Sequence, residues 1–341
     1  MKRLRHIVLL LLTTAIIAGL LAWSFSKVEN IGDVWQAFKE ARLWVAPLAA
    51  FVGLLVFPIK AFRWRLLLAS GNRIPLRALF SAIMIGFMVN SIFSRLGEFV
   101  RAGVLGIEKE TGTAEALASI ALERIFDMLT IVLILIAALL AIQPADGGRS
   151  AEALANVRTA GAVAAVLFVM GVAFLVLLRI RPRPTTAFVL SCVSWLPALL
   201  REKVRHFLKS FLQGLDALKN VEQVVTVFAL SIVHWMMQVA FFYLMGQCFP
   251  DLGLTFAGAM LVFSLVALSV AAVPLPGYLG VYQAGIAAAG LILSLPPARR
   301  VSYEWLTWAM NVPPIIAAGF LCLWWEGLSL GQLRKNAKRK A

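Results

Sequence analysis

The residues of this sequence most able to do chemistry are ionisable groups placed within or beside long apolar runs. Two groups stand out, because each gathers three ionisable residues within two helical turns. The groups are Arg95, Glu98 and Arg101, and Glu123, Arg124 and Asp127. An ionisable side chain at bilayer depth is costly unless it is paired or hydrated. Such groups therefore mark either internal ion pairs or a transport path.

Helical spacing predicts how these groups pair. In the first group the residues recur at every third position, so the acid lies between two bases on one face. In the second group Glu123 and Asp127 share a face. Two carboxylates at so short a distance repel each other, so one of them needs a nearby cation or a proton. Arg124 can pair with Asp127 on the same helix and can also reach Glu98.

Two compatible interpretations of these groups stay open. The first is a structural ion-pair network that holds the segment 78–104 in place. The second is a binding site in which guanidinium groups hold an anionic lipid headgroup, because the planar guanidinium fork matches the oxygens of a phosphate. In that case the carboxylates orient the arginines.

A second candidate element is the segment 274–283, where prolines and glycines interrupt an apolar run. Prolines remove backbone donors, and open backbone at membrane depth is tolerated only inside protein or beside water. A broken helix in each half of a transporter points to its substrate site, although a simple kink explains the same residues. The substrate-binding candidates in this segment are Pro276, Gly277, Gly280 and Gln283.

No catalytic residue, metal site or cofactor site is predicted. The cysteines Cys192, Cys248 and Cys322 are single and widely separated, and the three histidines are equally scattered. This spacing matches no metal-binding motif and favours buried structural thiols. His234 is interpreted as a core residue rather than a proton relay.

The elements that must position these residues are membrane helices. Hydrophobic residues make up 61% of the 341-residue chain and charged residues only 14%, whereas a soluble domain carries about a quarter charged residues. The net charge of +15 could indicate nucleic-acid binding, but the basic residues lie in short clusters between apolar runs, as the positive-inside rule produces. The composition therefore predicts an all-α, polytopic integral membrane protein that binds no nucleic acid.

About eight runs are long enough to span a bilayer, which takes about 20 residues. They are 7–25, 44–62, 118–142, 159–179, 223–246, 256–274, 277–296 and 305–325. The shorter run 78–94 is predicted to be re-entrant, because only then do all strongly basic segments face the cytoplasm. Both termini are then cytoplasmic, with one membrane domain over 1–326 and a basic tail over 327–341. Arg299 and Arg300 lie outside, against the rule.

Two further segments are interpreted as contacts with the membrane surface. Residues 199–219 carry apolar residues at helical spacing and basic residues on the other face, which predicts an amphipathic helix on the anionic leaflet. The sequence Phe62-Arg63-Trp64-Arg65 is interpreted as an interfacial anchor rather than a headgroup site.

Together these segments resemble the flippase-like family named for the transmembrane region of lysylphosphatidylglycerol synthase, which includes hopanoid-associated membrane proteins. The resemblance covers essentially the whole chain. It rests on residues 62–68, Arg95-Leu96-Gly97-Glu98 with Arg101, Glu123-Arg124 with Asp127, and Pro276 to Gly280. Where the family usually has a proline-containing turn this chain has Ile92-Phe93-Ser94, and where it usually has a late glutamate this chain has Gln283. The resemblance implies lipid translocation.

The expected function is therefore translocation of a membrane lipid or an isoprenoid-linked lipid across the bacterial inner membrane. A polar cavity at the two interrupted segments would hold the headgroup, and no enzymatic activity is expected. Two alternatives stay open. One is a non-transporting accessory subunit that partners lipid-synthesis enzymes, and the other is a membrane-embedded glycosyl or lipid transferase.

Overall fold

The computed structural model describes residues 2–26, 28–68, 73–93, 96–108, 113–142, 149–195, 197, 200–202, 204–205 and 221–328. Within these ranges every regular element is a helix, which confirms the predicted all-α fold class. Leu and Ala, the commonest residues of the apolar runs, are strong helix formers. A helix also satisfies its own backbone hydrogen bonds, as a chain in lipid must.

The described residues form thirteen α-helices and two short 3₁₀ turns, at Pro250–Leu252 and Pro276–Tyr278. The helices are α1 (Lys2–Phe25), α2 (Ile31–Glu40), α3 (Val45–Leu54), α4 (Val56–Leu67), α5 (Leu76–Phe93), α6 (Gly97–Glu108), α7 (Thr113–Ala141), α8 (Arg149–Ile180), α9 (Pro182–Cys192), α10 (Val221–Gln247), α11 (Phe256–Ala272), α12 (Val281–Ile292) and α13 (Pro297–Trp325).

Six stretches of the described chain are long and apolar enough to cross a membrane. They are Val45–Leu67, Leu76–Phe93, Glu115–Ala141, Ala151–Phe174, Val221–Gln247 and Pro297–Trp325. Five of them coincide with predicted spans, and the predicted first span, 7–25, lies within α1. The predicted spans 256–274 and 277–296 become a 17-residue helix, α11, and a 12-residue helix, α12, because the proline- and glycine-rich segment between them is not α-helical.

Helix α13 gives a reference for depth, because it is 29 residues long, or about 44 Å at 1.5 Å per residue. We call its two ends the Arg300 end and the Glu326 end. Against it, α5 runs antiparallel: the Ser81 hydroxyl donates to Glu326 at 2.6 Å, and Met88 packs on Gly319. The same register brings Phe93, the last residue of α5, level with Pro314, near the middle of α13.

Helices α5 and α6 form a hairpin based at the Glu326 end. Gly86 faces Gly97 and Arg101 across the two helices, and the side chain of Asn90 accepts a hydrogen bond from the backbone N–H of Gly97 at 2.7 Å. Because α5 ends near the middle of α13 and α6 begins beside Asn90, the tip end of this α5–α6 hairpin lies level with the middle of α13.

Helices α11 and α12 form a second hairpin, based at the opposite end. Gly285 lies against Val266 and Gly258 against Leu293, as in two antiparallel helices in close contact. Gly290 of α12 packs on the side chain of Arg300, so the base of this α11–α12 hairpin lies at the Arg300 end. Its tip is the Pro276–Tyr278 turn.

The tips of the two hairpins meet inside the bundle. The tip of the α11–α12 hairpin packs on α5, where Tyr278 lies next to Ser91. Trp308 of α13 donates its indole N–H to the carbonyl of Gly277 at 2.7 Å. Two short helical hairpins therefore enter from opposite ends and touch at mid-depth.

Ion pairs tie the loops together at the Arg300 end. Arg299 contacts Glu40 at 2.9 Å and Asp251 at 2.8 Å. Hydrogen bonds from Gln36 and Arg299 lower the pKa of the Glu40 carboxyl below its ordinary value. Arg299, which the predicted topology places outside against the positive-inside rule, is thus paired with acids at this end.

Several predicted features lie outside the described residues: Arg95, most of the segment 199–219, and the tail beyond residue 328. The prediction of three buried thiols is wrong for Cys192, which is exposed, whereas Cys248 and Cys322 are buried. The reason is that Cys192 ends α9, a helix with no buried residue.

The contact between α5 and α6 predicts a difference between two glycines of α6. A Cβ atom on Gly97 would lie 2.7 Å from Asn90 Cγ and closer still to the Gly86 carbonyl oxygen, whereas a Cβ on Gly103 would meet nothing within 4 Å. Overpacking of this kind costs about 1–3 kcal/mol. We expect Gly97→Ala to lower the melting temperature in detergent and Gly103→Ala to leave it unchanged. Equal melting temperatures for the two variants would contradict the hairpin packing.

Candidate functional site

The centre of the candidate site lies on α7, at the middle of a membrane-spanning helix. Asp127 stands 12 residues after the start and 14 residues before the end of the candidate span Glu115–Ala141, or about 18 Å from its start. Glu123 lies one turn earlier. Glu123 is 0% exposed and Asp127 is 1% exposed, so both carboxylates are withdrawn from solvent.

Glu123 is surrounded by basic side chains from two other helices. Its carboxylate lies 2.7 Å from Arg101 of α6, 3.1 Å from Arg63 of α4 and 3.4 Å from Lys60 of α4. All three cations are at most 3% exposed. Removing one partner of such a buried pair leaves an uncompensated charge, which typically costs about 3–5 kcal/mol.

Asp127 is held by α4 and by α10. Arg63 lies 2.7 Å from one carboxylate oxygen and Lys60 lies 3.6 Å from the other. The indole N–H of Trp235 donates to Asp127 at 3.0 Å, and the Nε2 of His234 lies 3.5 Å away. His234 is fully buried, as expected of a core residue, but the structure places it directly beside the charged group.

The guanidinium of Arg101 is incompletely satisfied. Its Cζ atom lies over the ring of Trp64, 3.6 Å from the ring centroid, and Trp64 is itself fixed by an indole hydrogen bond to Ser119 at 2.8 Å. One terminal nitrogen contacts Glu123, whereas Nε and Nη2 have no hydrogen-bond partner among the described residues. Arg101 therefore has two buried donors free for an acceptor.

The cluster reaches the protein surface at one edge. Arg124 lies 3.5 Å from Glu98 and 3.9 Å from Asp127, so the two pairings predicted for Arg124 from the sequence are confirmed. The side chains of Arg124 and Glu98 are 37% and 40% exposed. The predicted placement of Glu98 beside Arg101 differs in detail, because Arg101 pairs with Glu123 and Glu98 pairs with Arg124.

Basic groups outnumber acidic groups in this charge cluster. Among the described residues it holds four basic side chains and three carboxylates, which leaves one positive charge in excess. The members are Lys60, Arg63, Arg101, Arg124, Glu98, Glu123 and Asp127. A low-dielectric interior makes an unbalanced charge expensive. The arrangement therefore favours an anion as an additional occupant.

The candidate residues of the segment 274–283 lie at the tip of the α11–α12 hairpin and in the first turn of α12. The tip lies beside the charge cluster. The carbonyl of Gly277 accepts the hydrogen bond from Trp308, and Tyr278 lies near Ser91, Arg124 and Glu98. Gly280 adopts φ +81°, a conformation that a residue with a side chain rarely takes. Pro276 is exposed, whereas Gly280 and Gln283 are buried. The glutamine accepts a hydrogen bond from the Gly280 N–H at 2.9 Å.

The main residues missed by sequence reasoning are Lys60 and Arg63. The interpretation of Phe62–Arg65 as an interfacial anchor is wrong for Arg63 and Trp64, which are 0% exposed, because α4 continues to Leu67 and turns this face toward α7. A usable signal was present: Lys60 and Arg63 stand one helical turn apart at the end of an apolar run, which puts two cations on one face.

A cavity of about 270 Å³ lies elsewhere, at the Arg300 end. It is lined by residues around Ile142, Leu254 and Leu293. Ile142 lies 15 residues beyond Asp127, or about 22 Å along α7. This cavity is therefore separate from the charge cluster.

The cluster predicts a strong dependence of stability on Arg63 and little dependence on its neighbour. Arg63→Met leaves Glu123 and Asp127 short of a shared cation, so we expect the free energy of unfolding in detergent to fall by about 3–5 kcal/mol. Arg65→Met on the same helix removes a partly exposed charge and should change it by less than about 1 kcal/mol. Similar losses in both variants would show that Arg63 makes no special contribution.

None of the curated proteins searched matches this sequence. Residues 10–319 match the family described as the lysylphosphatidylglycerol synthase TM region. The match takes in both hairpins, every residue of the charge cluster and most of α13. The chain belongs to the family of the lysylphosphatidylglycerol synthase transmembrane region.

Proposed function

We propose that this protein moves a lipid or lipid-linked molecule with an anionic headgroup across the bacterial inner membrane, as a transporter and not as an enzyme. The observation that carries the proposal is the excess of basic side chains buried at mid-bilayer depth, with two donors of Arg101 unpartnered among the described residues. The family to which the chain belongs handles membrane lipids, in keeping with this proposal.

The barrier to lipid translocation is the transfer of a charged headgroup out of water. Burying an unpaired charge in an apolar medium costs far more than burying an apolar group. Charge-assisted hydrogen bonds from Arg101 and Arg124 would replace the lost water on a phosphate. Glu98, Glu123 and Asp127 hold these arginines in position, so the donors are oriented before the headgroup arrives.

The partly exposed edge of the cluster gives the headgroup a way in. Arg124 and Glu98 are more than one third exposed, whereas Arg101 behind them is buried. In this proposal the headgroup passes from Arg124 to Arg101 while the acyl or isoprenoid chain stays in the bilayer. The lipid is therefore a membrane lipid or an isoprenoid-linked lipid.

We further propose that both hairpins are re-entrant. Each returns to the end at which it started, and their tips lie level with the middle of α13. In transporters with broken helices the substrate binds where the broken elements meet. The contacts of Tyr278 with Ser91 and of Trp308 with Gly277 would part to let the headgroup pass.

The Glu326 end is proposed to face the cytoplasm, with both termini on that side. Among the described basic residues, Arg77 lies at this end, 4.0 Å from Glu326, whereas Arg299 and Arg300 lie at the other. Arg299 is paired with Glu40 and Asp251, and Arg300 is buried beside Glu304. Arg300 is therefore a buried core residue rather than a loop charge of the kind that the positive-inside rule counts, and Arg299 remains an exception to the rule.

Removal of the Arg101 guanidinium tests the headgroup site. We expect Arg101→Ala to slow transfer of acyl-labelled fluorescent phosphatidylglycerol between the leaflets of reconstituted vesicles, measured by dithionite quenching. Loss of a charge-assisted hydrogen bond of about 1.5–3 kcal/mol corresponds to a rate reduction on the order of ten- to a hundredfold. Arg101→Lys keeps the charge but loses the planar fork, so its transfer rate should lie between those of the wild type and Arg101→Ala.

The matched control is Arg183→Ala, because Arg183 is an exposed arginine of α9. It should transfer lipid at the wild-type rate. Melting temperatures of all variants establish that they are folded. Wild-type transfer by folded Arg101→Ala would refute the headgroup role, and an accessory subunit would show no transfer in any variant.

The excess positive charge also predicts a preference among headgroups. Anionic phosphatidylglycerol should move faster than zwitterionic phosphatidylcholine, because only the anionic lipid offsets the unbalanced charge. Glu98→Gln adds one more uncompensated positive charge at the exposed edge and should widen this preference. Equal rates for the two lipids in wild type and in Glu98→Gln would rule out selection by charge.

A further inference from the structure

A second group of buried polar side chains lies at the Arg300 end, between α1 and α13, and belongs to no part of the headgroup site. The hydroxyl of Ser24 donates to Glu304 Oε2. Arg300 Nη2 donates to the backbone carbonyl of Ser24 at 2.5 Å, and its Nε lies 3.4 Å from Glu304 Oε1. Ser24 and Glu304 are 0% exposed and Arg300 is 3% exposed.

Glu304 has fewer cationic neighbours than the other two buried carboxyl groups. Glu123 has three basic side chains within 3.4 Å and Asp127 has three within 3.9 Å. Glu304 has Arg300, and neither Arg300 Nε nor Glu304 Oε1 has a hydrogen-bond partner among the described residues. Arg300 donates its short hydrogen bond to the backbone carbonyl of Ser24 and not to Glu304. Because burial disfavours an ionised carboxylate, Glu304 is the buried acid best placed to bind a proton.

The other groups around Glu304 do not replace this cation. Helix α1 contributes the Ser24 hydroxyl, and α2 packs on α13 through the Val34 carbonyl, which accepts from Ser302. The charged residues of α2 are exposed, at Asp33, Lys39 and Glu40. The other titratable side chains on α10, α12 and α13 are Glu222, His234, Tyr243, Tyr282, Arg299, Tyr303 and Cys322.

Polar groups continue from Glu304 toward the hairpin tips. Gly290 packs on Arg300, so the antiparallel register of α12 and α13 brings Gln283 level with Thr307. Both are 0% exposed, and Gln283 Nε2 and Thr307 Oγ1 lack partners among the described residues. Buried polar groups of this kind are commonly bridged by water, and Gln283 in turn binds the N–H of Gly280, next to the tip.

We infer that Glu304 is a proton-binding site that couples proton movement to the meeting and parting of the hairpin tips. On release the O–H bond of the carboxyl breaks, the proton passes to water at the Arg300 end, and the carboxylate takes a hydrogen bond from Arg300 Nε. On uptake the reverse occurs, and Arg300 is held by the Ser24 carbonyl alone. The coupling rests on the proposed function, whereas proton binding does not.

Infrared difference spectroscopy of the purified full chain tests proton binding without any transport. Between mildly acidic and mildly alkaline pH, where exposed carboxyl groups stay ionised, the wild type should gain and lose the carbonyl band of one protonated carboxyl group. Glu304→Gln should lose that band. Glu40→Gln, which removes an exposed acid at the same end, should keep it, and Ser24→Ala should shift its frequency because the hydrogen bond to Oε2 is gone. Persistence of the band in Glu304→Gln, or its absence from the wild type, would overturn the proton site.

Vesicles with an imposed pH difference test the coupling. With one proton per lipid, each pH unit should shift the steady-state ratio of fluorescent phosphatidylglycerol between the leaflets about tenfold. We expect this shift in the wild type and in Glu40→Gln, and a ratio independent of the pH difference in Glu304→Gln. If the ratio of phosphatidylglycerol between the leaflets in the wild type does not change with the pH difference, coupling is refuted. If the infrared band depends on Glu304 but no lipid moves, the proton site stands and the translocator proposal falls.

Discussion

The constraint on which this structure depends is the burial of two carboxylates and their basic partners between three helices, at the middle of the long helix α7. Glu123 and Asp127 can lie there only because α4, α6 and α7 each contribute charge at the same depth. The two partners from α4 serve both acids, since Lys60 and Arg63 each contact Glu123 and Asp127. Loss of any one helix would leave unpaired buried charges on the others, so these helices are held together by electrostatic attraction as well as by packing.

The hairpins give this cluster its setting. A continuous helix at α5–α6 would carry Arg101 beyond mid-depth and away from Glu123, whereas the turn after Phe93 returns α6 along α5 and places Arg101 beside it. Glycine is required at this close approach, because Gly97 lies directly against the backbone of Gly86. The opposed hairpin brings a second interrupted segment to the same depth, so charge, open backbone and a partly exposed edge coincide at one level.

The sequence was sufficient for the fold class, for most of the spans and for the pairing around Arg124, because apolar length and helical spacing are local properties. It was insufficient for Arg63, whose neighbours Phe62, Trp64 and Arg65 are typical of an interface. Only the packing of α4 on α7 decides that Arg63 faces inward while Arg65 does not. Glu304 was missed although Arg300 stands four positions earlier on the same helix. Only the contact of α1 with α13, which brings Ser24 to both residues, encloses the pair. The lengths of the runs 256–274 and 277–296 allowed two crossings, and the short α12 emerges only once the turn at 276–278 is placed.

Helix α13 contains two consecutive prolines, Pro313 and Pro314, at the level where the α5–α6 hairpin turns back. Each proline lacks an amide hydrogen, so the peptide oxygens of Ala309 and Met310, four positions earlier, lose their donors within the helix. A helix that traverses the full thickness of the bundle thus offers two bare acceptors halfway along its length. In the proposed function such acceptors would suit the hydroxyl or ammonium groups of a polar lipid and would complement the guanidinium donors proposed to hold its phosphate.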